Sequence, residues 1–270
     1  MPAVSSPAAR VLAIAGSDSS GGAGVQADIK TITALGGYAC TAITAITVQN
    51  TLGVQEISPL AASLVAAQAR AVLEDIGADA IKIGMLGSLE VTESVAEVLA
   101  DWPAIPLVLD PVMIAKGGAA LCDARGLAAL EAHLVPRAAL LTPNAPEAAA
   151  LTGLRVETLD DARRAAEALL RLGAAAVLIK GGHIAGERVV DLLSTPRGET
   201  LFEGPRIDTR HTHGTGCTLA SACATGLAQG LPLIDAVARA WAYVVEAIRH
   251  APGLGAGAGP LDHGWPLRSK

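Results

Sequence analysis

The segment with the clearest chemical potential is HTHGTGCTLASA, residues 211–222. Gly214 and Gly216 flank Thr215 and come just before Cys217, at the start of an apolar stretch with helical spacing. The first N–H groups of a helix have no partner within it and carry the positive end of its dipole. The glycines let a ligand approach that backbone closely. The segment therefore predicts an anion hole for a phosphate group, with a plain glycine-rich helix cap as the alternative.

Cys217 would lie in the first turn of that helix, where a thiol can have a lowered pKa and act as a base or nucleophile. Buried cysteines are more often small apolar side chains, and we interpret Cys40, Cys122 and Cys223 in that way. The spacing of the four fits neither a zinc site nor a disulfide framework. A catalytic role for Cys217 thus depends on the anion hole predicted beside it.

Charged and amide side chains at predicted strand ends form a second group. Asp110 lies in LDPVM, and TPNAPEA places Asn144 and Glu147 three residues apart at a helix start. Carboxylates there could hold Mg²⁺ through waters, although capping of the helix explains the pair equally well. Lys180 begins KGGH and suits a phosphate chain, or is simply a solvated lysine before a turn.

The opening loop, GSDSSGGAGVQAD, suggests a different site. Gly22, Gly24 and Ala27 fit the G-x-G-x-x-A form of a dinucleotide-binding turn. Such a fold also has an acidic residue at the end of its second strand. The second apolar run here ends in TVQNT, without a carboxylate, which counts against an NAD-linked oxidoreductase.

These residues must be positioned by alternating strands and helices. Strands are predicted at residues 11–15, 41–48, 80–83, 107–109, 139–141 and 176–179, and helices at 25–35, 60–76, 89–99, 125–133, 159–172, 217–229 and 233–250. Residues 188–193 and 199–203 flank STPRG and predict an antiparallel hairpin at a sheet edge. The pattern indicates an α/β fold with a mostly parallel sheet covered on both faces. Ligands bind such sheets in the crevice at the carboxyl ends of the strands.

The composition narrows the function classes. The 270 residues are 51% hydrophobic with a formal net charge of −6, so no chain-wide basic surface for nucleic acid is expected. No stretch approaches the ~18–20 apolar residues of a membrane span, and no signal peptide is recognised. We expect a cytoplasmic protein with reduced thiols, no membrane partner and no nucleic-acid partner. One domain is expected over residues 1–270, with its core at about 10–265 and a short flexible N-terminus.

Seven motifs in order resemble one known family: AGSDSSGGAGVQAD, ITVQNTLGV, IKIGMLGS, LDPVM, LTPNAPEA, LIKGGH and HGTGCTLASA. The chain resembles the hydroxymethylpyrimidine/phosphomethylpyrimidine kinases of thiamine biosynthesis, within the ribokinase-like superfamily. The resemblance implies a three-layer sandwich and usually a homodimer. It implies phosphorylation, dependent on ATP and Mg²⁺, of 4-amino-5-hydroxymethyl-2-methylpyrimidine to its monophosphate and then to the diphosphate.

The resemblance also assigns roles to individual residues. Cys217 is the expected catalytic base, beside an anion hole of Gly214, Thr215 and Gly216. The remaining roles are pyrimidine binding by Asp28, Gln49, Met85 and Val112, nucleotide binding by Asn144 and Lys180, and Mg²⁺ and phosphate contacts by Asp110 and Glu147.

Three alternatives remain open on the sequence. Pyridoxal kinases share the implied fold and anion hole, so pyridoxal is a possible main or side substrate. A non-catalytic pyrimidine-binding protein and the NAD-linked oxidoreductase are the other two. Residues 113–118 are the candidate for a lid, and residues 21–28 are expected to line the acceptor pocket.

Overall fold

The structure is a computed structural model that describes residues 8–113 and 121–268. The N-terminus predicted to be flexible lies almost wholly outside the described residues, as does the candidate lid beyond Met113.

The described residues form one sheet of nine strands in the order β3-β2-β1-β4-β5-β6-β7-β8-β9. Strands β1, β2 and β4–β7 are parallel, whereas β3 at one edge and β8 and β9 at the other are antiparallel. The predicted mostly parallel sheet with an antiparallel edge hairpin is therefore confirmed. The strands are β1 (Arg10–Asp18), β2 (Tyr38–Asn50), β3 (Gly53–Pro59), β4 (Ala80–Ile83), β5 (Leu107–Leu109), β6 (Leu140–Leu141), β7 (Val177–Ile179), β8 (Arg188–Thr195) and β9 (Gly198–Pro205).

Helices cover both faces of the sheet. They are α1 (Gly24–Ala34), α2 (Ala62–Asp75), α3 (Leu89–Ala100), α4 (Ala124–Ala129), α5 (Ala145–Thr152), α6 (Leu159–Arg171), α7 (Thr215–Ala228), α8 (Leu233–Arg249) and α9 (Trp265–Arg268). Within the described chain, none of them is both long and apolar enough to cross a membrane.

Two apolar cores result from the alternation of side chains along the strands. Leu12 and Ile14 of β1 point to one core, which α2, α3, α5 and α6 complete. Val11 points to the other core, which is closed by α1, α7 and α8. Because both faces of the central strands are covered, their central residues are nearly all apolar, and Lys82 of β4 is an exception. The three-layer arrangement predicted from the sequence is confirmed.

The order in which successive strands are added to the sheet reverses at β1. Strand β2 pairs on one side of β1 and β4 on the other. Ligand sites of open α/β sheets lie at such a switch point, outside the carboxyl ends of the strands. The loops after β1, β4, β5 and β7 all end at this edge, and their polar residues are therefore brought together.

Three elements were not predicted as such: β3, α5 and the short helix α9. Strand β3 reads GVQEISP and has little buried surface, so its sequence carries no strong apolar alternation. Helix α5 was expected only at its start, and eight residues rich in alanine complete it up to Gly153, which adopts φ 69° as the helix ends. Strand β3 therefore depends on its pairing with β2, whereas α5 has helix signals of its own in its alanines and its terminal glycine.

Candidate active site

A cleft of about 1170 Å³ opens along the carboxyl edge of the sheet. Every residue assigned a role from the sequence, with the exception of Asp28, contributes to its wall. One end is formed by the loops after β1, β2 and β4, and the other by α5, the loop after β7 and the β8–β9 hairpin. The first residues of α7 lie on the cleft as well.

The anion hole predicted at the start of α7 has the geometry that its glycines require. Gly214 caps the helix with φ 85°, a conformation that favours glycine. A Cβ on Gly214 would lie 1.8 Å from the carbonyl oxygen of Gly22. A Cβ on Gly216 would lie 3.2 Å from Lys180 Nζ and 3.5 Å from Asp110 Oδ2. The unpaired N–H groups of this helix start therefore face a lysine across a narrow space.

Lys180 is held by two carboxylates at the end of the cleft beyond α7. Its Nζ lies 2.7 Å from Asp110 Oδ1 and 3.6 Å from Glu147 Oε2. Thr142 Oγ1 donates to the same Asp110 oxygen over 3.1 Å. Burial alone would lower the pKa of Lys180, but the two carboxylates outweigh burial and raise it. The lysine is therefore a permanent cation at neutral pH, suited to a phosphate group.

Asn144 and Glu147 form a complete capping box at the start of α5. The Asn144 side chain accepts from Glu147 N–H over 2.9 Å, and Glu147 Oε2 accepts from Asn144 N–H over 2.7 Å. The backbone N–H of Lys180 donates to the carbonyl of Pro143. Asn144 and Glu147 therefore do cap the helix, which was the alternative role considered for them. The same two residues also line the cleft.

Asp110 and Glu147 are compatible with Mg²⁺. Both carboxylates line the cleft and lie within 3.6 Å of Lys180 Nζ, and Mg²⁺ is commonly bound by one or two carboxylates together with waters and substrate phosphates. In the described part of the chain no group of three or more His, Cys, Asp or Glu residues could hold a metal by itself. The residues present therefore fit a site completed by water and by a bound phosphate.

Asp18, at the end of β1, organises the opposite end of the cleft. It accepts hydrogen bonds from the N–H groups of Ser20, Gly22 and Ala23 and from the hydroxyl of Ser20. His213 Nε2 lies 2.8 Å from Asp18 Oδ2. Although burial opposes the effect, these hydrogen bonds hold the pKa of Asp18 below its usual value. The opening loop is therefore folded around one carboxylate.

Gln49 and Met85 lie at the same end of the cleft, and Val112 lines the cleft as well. The Gln49 amide lies 3.2 Å from His213 Nε2. Met85 approaches Gly16 so closely that a Cβ on this glycine would be 2.6 Å from the Met85 methyl carbon. This arrangement gives a flat apolar space with one amide at its edge, which suits a small aromatic ring. The structure brings these three predicted residues together in one cleft.

The prediction that Asp28 faces this pocket is wrong. Asp28 is fully buried, and its carboxylate is 2.9 Å from Lys82 Nζ and accepts from Ser221 Oγ over 2.6 Å. It lies on the core-facing side of α1. Within residues 21–28, only Ala23 and Gly24 contribute to the cleft wall. The prediction that the whole segment lines the acceptor pocket therefore included too many residues.

Lys82 is a central residue that the sequence analysis missed. It is fully buried in β4, whose sequence is AIKI. Burial acts to lower the pKa of Lys82, but the Asp28 carboxylate outweighs burial and raises it. A lysine inside an otherwise apolar strand could have been recognised as a residue that requires a buried acidic partner.

The thiol of Cys217 does not have the lowered pKa expected at a helix N-terminus. Burial raises the pKa to about 11; the Lys82 ammonium acts against this shift, and Asp28 and Asp110 add to it. The effect of the helix start is therefore smaller than the combined effect of burial and two carboxylates. The thiol is protonated at neutral pH.

Comparisons with known proteins agree with this site. The family model described as phosphomethylpyrimidine kinase matches residues 18–262. A hydroxymethylpyrimidine/phosphomethylpyrimidine kinase of Streptomyces coelicolor is 51% identical over 257 residues, which are 95% of each chain. This chain belongs to the phosphomethylpyrimidine kinase family. It is a kinase, and the pyrimidine kinase resemblance of its motifs is confirmed.

Solved structures resemble the kinase closely. A phosphomethylpyrimidine kinase of Clostridium difficile has a TM-score of 0.79 and 42% identity, covering 88% of this chain and 99% of that one. A pyridoxal kinase of Bacillus subtilis, solved as an ADP complex, has a TM-score of 0.89 and 35% identity, covering 98% and 100%. The ribokinase-like fold is thus shared by kinases named for two different acceptors.

The buried pair of Lys82 and Asp28 leads to a prediction about stability. Lys82→Met leaves the Asp28 carboxylate buried without its cation, and the free energy of unfolding of the kinase should fall by ~3–5 kcal/mol. The measurement is urea denaturation followed by circular dichroism.

Two further variants complete that measurement. The double variant Lys82→Met, Asp28→Asn removes the uncompensated charge and should recover most of the loss. Arg70→Met breaks an exposed pair with Asp101 and should cost less than about 1 kcal/mol. Equal losses for Lys82→Met and Arg70→Met would show that the buried pair has no special role.

The raised pKa of Cys217 leads to a prediction about reactivity. Alkylation of this thiol by iodoacetamide, followed by mass spectrometry of its peptide, should keep accelerating up to pH ~10 without a plateau, because the pKa is about 11. In denaturant the same cysteine should titrate near ~8.5. Since the folded value is the higher one, the thiol's contribution to stability is fully present below the unfolded pKa and is lost as the pH rises toward the folded value. A plateau below pH ~8 in the folded kinase would contradict the assignment.

Proposed function

We propose that the chain transfers the γ-phosphoryl group of ATP to the hydroxymethyl group of 4-amino-5-hydroxymethyl-2-methylpyrimidine, and then phosphorylates the monophosphate to the diphosphate. The observation that carries the proposal is the position of the α7 start. It runs from His213, whose ring is 3.2 Å from the Gln49 amide, to Gly216, where a Cβ would be 3.2 Å from Lys180 Nζ and 3.5 Å from Asp110 Oδ2. An acceptor ring and a nucleotide would therefore meet at this helix start.

The residues supply the groups that phosphoryl transfer needs, which are positioning and charge neutralisation more than covalent chemistry. The N–H groups of Gly214 and Gly216, at the positive end of the α7 dipole, would stabilise the negative charge on the moving phosphoryl group. Lys180 would contact the phosphate chain and Asn144 the nucleotide. Mg²⁺, held by Asp110 and Glu147 with water, would neutralise charge on the phosphates.

Cys217 lines the cleft and would first lose its own proton to water there, and would then receive the proton of the acceptor hydroxyl as the thiolate. In a loose transition state little bond to the attacking oxygen has formed, so that proton can leave late, when the hydroxyl is most acidic. Because the pKa of the Cys217 thiol is high, the surrounding residues must stabilise its thiolate form for it to act as a base. The Lys82 ammonium acts in that direction.

Pyridoxal is the second candidate acceptor, as a main or side substrate. The similarity to the Bacillus subtilis pyridoxal kinase covers nearly the whole of both chains, which favours this possibility. Gln49 at the edge of the ring site favours the pyrimidine, because an aminopyrimidine offers a donor and an acceptor side by side and an amide pairs with both.

An ATP-consumption assay tests the proposal with hydroxymethylpyrimidine, its monophosphate and pyridoxal as acceptors. We expect turnover of both pyrimidines in the presence of Mg²⁺, with pyridoxal at least tenfold slower. Turnover of pyridoxal alone would contradict the substrate assignment and leave the kinase assignment intact. Binding of the pyrimidine without formation of ADP would indicate a non-catalytic binding protein instead.

The same assay includes a pair of cysteine variants on α7. Cys217→Ala should lose ~10²-fold or more in kcat, as expected for a missing base, while ATP affinity measured by calorimetry is retained. Cys223→Ala is the matched control, because its thiol is fully buried in the apolar core. Equal rates for the two variants would remove Cys217 from the mechanism.

We also propose that the kinase is a homodimer that pairs through β2 and β3. Ile46, Val48 and Leu52 leave 44%, 48% and 71% of their surface exposed on this edge. Alternate residues of the same strand, Thr47 and Gln49, face the cleft. A second copy is the simplest occupant for an apolar edge next to the acceptor end.

Sedimentation velocity at micromolar concentration tests the dimer. The double variant Ile46→Asp, Val48→Asp should sediment as a monomer, because two buried charges would oppose association. Leu267→Asp is the control, since Leu267 is equally exposed elsewhere and should leave the dimer unchanged. A monomeric wild-type protein would overturn this proposal.

A further inference from the structure

The Gln49 amide lies between His213 and Thr47, and each of these side chains already donates its hydrogen to another group. As placed in the structure, Gln49 Nε2 is 3.2 Å from His213 Nε2, and Gln49 Oε1 is 3.2 Å from Thr47 Oγ1. His213 Nε2 is also 2.8 Å from Asp18 Oδ2, and Thr47 Oγ1 donates to the Ser17 carbonyl over 2.9 Å. The oxygen and the amino group of an amide have nearly the same shape, so these partners decide which end is which.

The carboxylate of Asp18 determines the hydrogen on His213. Asp18 already accepts three backbone N–H groups and one hydroxyl, and an ionised carboxylate can only accept. His213 Nε2 must therefore carry a hydrogen and donate it to Asp18. A ring nitrogen that carries a hydrogen has no lone pair for an amino group. An amino group placed there would set two donors face to face, so the partners require the amide to be turned by 180° from its placement, with its oxygen toward His213.

Thr47 leads to the same orientation from the other side. Its hydroxyl has one hydrogen, and the Ser17 carbonyl takes it at the shorter of the two distances. The group that Thr47 presents to Gln49 is thus a lone pair, which accepts from an amino group. Two independent partners agree that the Gln49 oxygen faces His213 and its amino group faces Thr47.

We propose that His213 and Asp18 are positioning residues that set acceptor specificity by holding Gln49 in this single orientation. This inference rests on the proposed function and adds to it which edge of the acceptor ring is selected. The Gln49 oxygen has a second lone pair for a donor on the ring, and the amino group has a second hydrogen for a ring nitrogen. The fixed amide therefore selects a ring with an exocyclic amine beside an unprotonated nitrogen.

The orientation also agrees with the direction in which the acceptor must point. His213 directly precedes Gly214, so the oxygen end of the amide lies toward the anion hole and the amino end lies away from it. In the proposed pyrimidine the amine is next to the hydroxymethyl group, and the ring nitrogen is one atom further away. Pairing the amine with the oxygen end directs the hydroxymethyl group toward α7. The reversed amide would place two donors face to face.

The sharpest test is an acceptor whose edge is reversed. In the 4-oxo analogue of hydroxymethylpyrimidine a carbonyl replaces the amine and the neighbouring nitrogen carries a hydrogen. Wild-type kinase should prefer the amine over this analogue by ~100-fold or more in kcat/KM, since both hydrogen bonds are mismatched. His213→Phe and Thr47→Val each release one end of the amide and should reduce the preference at least fivefold, with the KM for ATP unchanged.

A control variant and a direct measurement complete the test. His133→Phe changes an exposed histidine away from the cleft and should leave the preference as in the wild type. In wild-type kinase, NMR cross-relaxation should connect the Gln49 amide protons with the Thr47 methyl group and not with the His213 ring. This measurement does not depend on the folding of any variant.

The outcomes separate the inference from the function on which it rests. An unchanged preference in folded His213→Phe and Thr47→Val, or amide protons located at the His213 ring, would overturn the inference. If the wild-type chain phosphorylates neither pyrimidine, the proposed function fails, and the NMR measurement still decides the orientation of Gln49.

Discussion

The contact between the loop after β1 and the start of α7 is the constraint on which the site depends. Asp18 accepts from the N–H groups of Gly22 and Ala23 and also bonds His213, 195 residues further along the chain. The carbonyl of Gly22 then occupies the space beside Gly214 where a side chain would lie. Because this packing sets where α7 begins, it also sets the direction of the free N–H groups at that end.

Two lysines with acidic partners lie beneath and beside this helix start, and they differ in access. Lys82 is fully buried in the core with Asp28, so its positive charge is a permanent part of the electrostatic field of the protein. Lys180 lines the cleft and keeps 13% of its side chain exposed there. The first pair holds α1, β4 and α7 together through Ser221, whereas the second is available to a ligand.

Much of the fold could be predicted because its signals are local. Apolar runs separated by amphipathic stretches predict parallel strands with crossover helices, and the chain rules for such sheets place their polar ends at one edge. The positions of Asp110, Glu147 and Lys180 followed from that rule alone. The family resemblance placed Asp28 in the acceptor pocket, but a motif does not reveal the direction in which a helical side chain points once the helix is docked. The link from Asp18 to His213 connects two loops that no local pattern relates.

The protonated state of Cys217 has a consequence for the durability of the enzyme. Oxidants and electrophiles react with thiolates far faster than with thiols. A cysteine with a pKa of about 11 is therefore almost inert at neutral pH, although the site that surrounds it is open to small molecules. The chain thus keeps a potential proton acceptor in a chemically protected form, and the resting enzyme should survive peroxide at concentrations that inactivate enzymes with acidic cysteines.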